Sequence, residues 1–194
     1  MNATTMNDEP KSRWFQSGVH CSALVVPVAA VFALIVPVAA LAQARTFAED
    51  GIEFTLELPS PTWRWVVEPI GSRKRVEFIN GDDCLSGCLS VRKILLDADA
   101  IPEDLFKREQ TEKLQFLPGF VACHDGGTRE FKGHYSGAAF CYEYTDGGRP
   151  MTGRIYYLYA DKRTVYALHF RAALEKLLAL REQMDRIVRS FHVR

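Results

Sequence analysis

The stretch AAFCYEYTDGGRPMTGRIYYLYADKRTVYALHF, residues 138–170, decides the fold. Residues 138–145, 152–159 and 164–170 are rich in aromatic and β-branched side chains, the composition of strands. Asp146-Gly147-Gly148 separates the first two, and a short Gly-rich connection of this kind makes a hairpin. Ala160-Asp161-Lys162-Arg163 turns the chain again into the third. Connections this short force neighbouring strands to run antiparallel.

Working outward, the same period continues upstream. Residues 120–124 and 128–134 read as two further strands, which could be adjacent with Asp125 at their turn. Pro118-Gly119 ends a helix predicted over residues 102–116. Pro102 suits the first turn of that helix, and Glu103 and Asp104 suit its positive end. Leu105, Phe106, Leu114 and Leu117 can share its apolar face. Earlier strands are expected at residues 52–58, 63–67, 73–79 and 89–96, with Asn80-Gly81-Asp82-Asp83 as a turn. Downstream, residues 172–191 form the clearest helical pattern. Its stripe is Leu174, Leu177, Leu178, Met184, Ile187, Val188 and Phe191. Strands, helix, antiparallel strands, helix is an α+β order: a mainly antiparallel sheet with helices packed on it. No internal repeat, linker or second core interrupts it.

The first 44 residues differ in kind. Lys11, Arg13 and His20 precede an uncharged apolar run of 23 residues, from Ser22 to Ala44. It closes on Ala42-Gln43-Ala44, the small-x-small pattern of a signal peptidase site, with Ala40-Leu41-Ala42 as a second candidate. Such a run is also long enough to span a bilayer, so residues 1–44 are a signal peptide or an N-terminal membrane anchor. Pro27 and Pro37, and the abundance of Ala and Val, favour cleavage. Either outcome puts residues 45–194 outside the cytoplasm as a single α+β domain, periplasmic or extracellular if released. Without cleavage it is tethered to the inner membrane through residues 22–44. Charge is balanced at 24 basic against 24 acidic residues, so no global field draws nucleic acid or anionic lipid.

Four cysteines follow the apolar run: Cys84, Cys88, Cys123 and Cys141. An even number in an oxidising compartment reads as two disulfides, with three connectivities open. Cys84–Cys88 and Cys123–Cys141 are favoured, because Leu85-Ser86-Gly87 permits a tight reversal and the second pair lies in strands expected to be neighbours. The alternative for Cys84 and Cys88 is a metal or redox site.

An opening strand leading into Pro59-Ser60 and Trp63, the strand pair ending Tyr156-Tyr157-Leu158-Tyr159 and Val165-Tyr166-Ala167-Leu168, and a closing helix ending Ile187-Val188-Arg189-Ser190-Phe191 together resemble the PsbP-like proteins. The resemblance covers most of residues 50–192 and carries no site motif. It implies an α/β/α sandwich and a non-enzymatic accessory or binding role at or near a membrane. Paired cysteines are not general in that family.

No catalytic or cofactor fingerprint is present. Ser86 and Ser136 lack the first glycine of a hydrolase elbow, and Gly126-Gly127 and Gly147-Gly148 are turn glycines without a following helix. Two candidate sites remain. His124, Asp125 and His134 could hold zinc or copper if their strands adjoin; the alternative is a polar turn with surface histidines. Trp63, Trp65, Tyr142, Tyr144, Tyr156, Tyr157 and Tyr159 could line an aromatic groove for an envelope protein or a small apolar ligand; the alternative is sheet-face packing. His169 reads as a hydrogen-bonded, partly buried residue rather than a ligand.

Overall fold

Alternation along residues 138–173 places every second side chain on one face of a large antiparallel sheet, and helices cover both faces. The computed structural model describes residues 44–96, 101–123 and 129–194. The N-terminal apolar run up to Gln43, and with it both cleavage motifs, lies outside the described residues. The strands are β1 (Arg45–Phe47), β2 (Phe54–Leu58), β3 (Trp63–Ile70), β4 (Arg73–Asn80), β5 (Cys88–Leu95), β6 (Val121–Ala122), β7 (Arg129–Lys132), β8 (Ser136–Asp146), β9 (Arg149–Tyr159), β10 (Thr164–Ala173) and β11 (His192–Val193). The helices are α1 (Pro102–Glu112) and α2 (Leu177–Ser190). The large sheet has the order β3-β4-β5-β10-β9-β8-β6, with β7 also on β8; β1, β2 and β11 make a small second sheet.

The central hairpins form as their turn residues dictate. Gly147 and Gly148 have φ of 55° and 80°, the left-handed pair that a two-residue hairpin loop requires. Asp161 Oδ1 accepts the N–H groups of Arg163 (2.7 Å) and Thr164 (2.8 Å), closing the β9–β10 turn. Val165, Tyr166, Ala167 and Leu168 are each at most 1% exposed. Burial on both faces explains why β10 reads as an almost continuous apolar run instead of a clean alternation.

One face carries Trp63, Phe78, Tyr156, Leu168 and Phe170 against Met184, Ile187 and Val188 of α2 and against the small sheet. The other carries Phe140, Ile155, Tyr157, Val165 and Ala167 against Leu105, Phe106 and Leu114. Phe106 stacks on Phe140 with ring centroids 4.3 Å apart. Three layers result, an α/β/α sandwich. Both favoured disulfides are formed, Cys84–Cys88 across the β4–β5 turn and Cys123–Cys141 from the end of β6 to the middle of β8.

Several expectations need correction. Strands 120–124 and 128–134 do not pair with each other. β6 pairs Val121 with Glu143, and β7 pairs Arg129 with Ala139, so both lie in succession along the outer edge of β8. The 11-residue β8 is long enough to take both. The first helix stops at Glu112 and continues as a 3-10 turn, Leu114–Phe116. The last begins only at Leu177, because β10 stays paired as far as Ala173 opposite Met151. That shift re-phases the apolar stripe to Leu180, Met184, Ile187 and Val188, and leaves Leu178 81% exposed. Among the described residues, no helix is long and apolar enough to cross a membrane.

Candidate functional site

The face of the sheet under α1 is only partly covered. α1 and its 3-10 extension pack over β8, β9 and β10, and beyond their edge a groove of about 440 Å³ runs between the 3-10 turn and the sheet. Leu114, Leu117 and Pro118 form one wall and Tyr142 and Tyr144 the other, with His169 and Arg171 in the lining. Glu109 and His169 also line a second hollow of about 200 Å³ with Ser90 and Arg92.

Strand parity builds the floor. Tyr142, Gly153 and His169 point to the α1 face from three neighbouring strands, Tyr142 standing directly opposite Gly153. A Cβ on Gly153 would lie 2.2 Å from the Tyr142 ring. The missing side chain is what lets that ring lie across β9, so that Tyr142 Oη meets His169 Nε2 at 2.7 Å. A glycine inside a strand marks this kind of close approach. Gly153→Ala is expected to cost about 1–3 kcal/mol through overpacking. It should also break the Tyr142–His169 bond, read as a lower denaturation midpoint and displaced Tyr142 and His169 ring signals.

A second polar unit comes from α1. Glu109 Oε2 accepts from Tyr157 Oη at 2.9 Å and is paired with the Arg92 guanidinium. Lys113 Nζ stands 3.9 Å from Glu109 Oε1. On the open side Arg171 Nη2 is 3.4 Å from Glu77 Oε1, with both side chains about 40% exposed.

The electrostatics follow from this packing. Burial lowers the pKa of His169 to about 4, and the Arg171 charge adds to the effect, so the ring is neutral at pH 7. Burial, and then the neighbouring Tyr144, holds the Tyr142 hydroxyl in its protonated form well above the usual range. For Glu109, burial pushes the pKa up. The Arg92 charge and the hydrogen bonds from Tyr157 and Arg92 outweigh it and hold the carboxyl below the usual range. At neutral pH the floor is therefore a neutral imidazole–phenol pair beside a neutralised carboxylate.

The expected residues fare unequally. Tyr142 and Tyr144 line the groove, while Tyr157 is buried and sends its hydroxyl to Glu109. Trp63 is fully buried in the opposite layer, its Nε1 donating to Gln183 Oε1 at 2.8 Å. Trp65 lies in that layer too, under the Arg45 guanidinium at 4.6 Å. Tyr156 donates to Asp185 Oδ1 at 2.5 Å beside α2. His169 is hydrogen-bonded and partly buried, as its sequence reading holds. His124 and Asp125 lie outside the described residues. His134 sits in the bend after β7, with His192 as its neighbour. Glu77 approaches the Cys84 and Cys88 sulfurs, which are joined to each other and so offer no thiolate. Sequence reasoning missed Glu109, Arg92, Arg171 and Gly153. Only Gly153, a glycine inside an apolar strand, carries a signal in the sequence.

The three layers and their strand order are those of the PsbP/Mog1 type of α/β/α sandwich, a likeness of fold alone. The Ran-binding protein Mog1p of Saccharomyces cerevisiae superposes with a TM-score of 0.52 at 12% identity, over 78% of this chain and 95% of that one. The cyanobacterial PsbP (CyanoP) of Synechocystis sp. PCC 6803 gives a TM-score of 0.48 at 15% identity, over 79% and 94%. LpqN of Mycobacterium tuberculosis, involved in cell envelope biogenesis, gives 0.48 at 18% identity, over 78% and 90%. No protein-family model and no curated protein sequence matches this chain.

Proposed function

We propose that this chain is an exported binding or accessory protein of the cell envelope. Its ligand is a small molecule with an apolar or aromatic body and an acidic head, held in the groove beside α1. The groove itself carries this reading: it has the size and character of small-molecule sites, apolar walls with a few fixed polar groups. Tyr142, Tyr144, Leu114 and Leu117 offer the apolar surface, and Arg171 and Lys113 offer positive charge at the rim. The Glu109 carboxylate, already shared by Arg92 and Tyr157, is less able to repel an anion.

Binding is favoured over catalysis because a general acid or base works best with a pKa near the operating pH. His169 and Tyr142 are both pushed away from neutrality. Export is favoured by the apolar run ending at Ala42-Gln43-Ala44 and by two disulfides, which persist in oxidising compartments. The domain then begins at Arg45, released to the periplasm or exterior, or stays tethered through residues 22–44.

A fluorescence titration with 1-anilinonaphthalene-8-sulfonate, an aromatic sulfonate, tests the groove. Saturable one-to-one binding is expected, weakened at least about tenfold by Arg171→Glu, the loss of roughly one close charge contact. Lys162→Glu, the same charge change on the exposed β9–β10 turn, should leave it alone. Equal weakening by both substitutions, or no saturable binding, would count against the groove.

A further inference from the structure

Two histidines that are far apart in sequence meet on the opposite side of the molecule. His134 Nε2 and His192 Nδ1 are 3.1 Å apart, with ring centroids separated by 4.8 Å and planes inclined at 59°. Both are exposed. We propose that His134 and His192 form a two-imidazole chelate for a divalent first-row transition-metal ion, zinc or copper. This site is independent of the groove.

The distance carries the argument. Metal–imidazole bonds of about 2.0–2.1 Å at angles from 90° to tetrahedral place the two ligand nitrogens roughly 2.8–3.4 Å apart. The observed separation falls inside that interval. One ion can therefore take the place of the shared hydrogen bond once each exposed ring turns its facing lone pair off the N···N line toward the ion. In the metal-free pair, one facing nitrogen holds a proton that points at the lone pair of the other. Binding moves that proton to the far nitrogen of its own ring, so both facing nitrogens present lone pairs and no net proton is lost. Imidazole suits zinc and copper as a ligand.

The backbone that carries each ring is held in place. His192 is in β11, paired opposite Thr55, directly after the fully buried Phe191. Arg194 N donates to Glu53 O at 2.8 Å on its other side. His134 sits in a bend closed by Gly133 N to Tyr135 O at 3.2 Å, and Arg189 Nη1 donates to Lys132 O at 2.7 Å. Tyr135 joins the two halves: its ring lies edge-on to His134, and its hydroxyl accepts the Val193 N–H at 3.1 Å. Among the described residues, no third His, Cys, Asp or Glu completes a set here. The remaining coordination positions would be open to water or to a donor on another molecule.

The test is a zinc titration of the full chain, stripped of metal and kept in solution with mild detergent. It is read by calorimetry and by 1H–15N correlation spectra of the histidine rings. One zinc per chain is expected, with the His134 and His192 ring signals moving together. His134→Ala and His192→Ala should each weaken binding at least tenfold, while melting with the wild type when metal is absent. His124→Ala should leave binding intact. Zinc that moves neither ring, or binding that survives the double variant, would overturn the site. So would binding abolished by His124→Ala but not by His192→Ala.

Discussion

Replacing Cys123 and Cys141 together by alanine is expected to lower the unfolding free energy by about 3 kcal/mol, as loop-closure entropy gives for a bridge of this span. The bridge closes a separation of 18 residues that includes all of β7. Among the described residues next to the bridge, β6 has two residues paired to β8 and Cys123 N donates to Cys141 O at 3.1 Å. Cys84–Cys88 should matter less. Its separation is 4 residues, and the same turn is closed by Asn80 N to Gly87 O at 2.8 Å and by Asp83 Oδ1 accepting from Leu85 and Ser86. Chemical denaturation of the two double variants checks the ranking. Equal losses, or none for the Cys123–Cys141 pair, would contradict it.

The second large effect is on acid stability. The folded pKa of His169, about 4, lies below the ordinary value of 6.5. As pH falls below 6.5, the unfolded chain takes up a proton that the folded chain refuses. The stability linked to His169 is complete above pH 6.5, erodes as pH falls, and is fully lost below about 4. A difference of this size corresponds to about 3 kcal/mol. His169→Gln, which keeps a polar group beside Tyr142, should flatten that part of the profile. Glu109, with its pKa also lowered, adds loss of the same sign at lower pH in both proteins, so the comparison isolates the imidazole. Parallel profiles for wild type and variant between pH 6.5 and 4 would mean that His169 ionises as freely folded as unfolded.

The layers of this fold are legible in the chain because each rests on local chemistry. The Asp146-Gly147-Gly148 turn and the aromatic strands around it are short-range patterns that the structure places close to their expected positions, and the amphipathic last helix is present although it starts later than expected. The disulfide partners follow from turn geometry and strand neighbourhood. The elements that sequence reasoning missed are those that exist only through distant partners. β1 and β11 have three and two residues, too few to show a period, and form because β2 lies between them. β6 and β7 look like a hairpin in sequence but use β8 as a common edge.

The groove is less legible for the same reason. Glu109 reads as one more charge on the polar face of a helix until α1 is laid against Tyr157 and Arg92. Tyr142 and His169 are 27 residues apart and meet across a strand whose glycine leaves the space open. His134 and His192 are separated by 58 residues and become neighbours only through the pairing of β11 with β2.

The most direct test of the groove as the ligand site is a nuclear magnetic resonance titration of the labelled protein with 1-anilinonaphthalene-8-sulfonate, following aromatic, imidazole and arginine side-chain signals. The expected result is that Tyr142, Tyr144, His169 and Arg171 move together on one saturation curve while Trp63 and His134 stay still. Shifts confined to the α2 side of the sheet, or a saturating response that leaves Tyr142 and His169 unmoved, would contradict a ligand site beside α1.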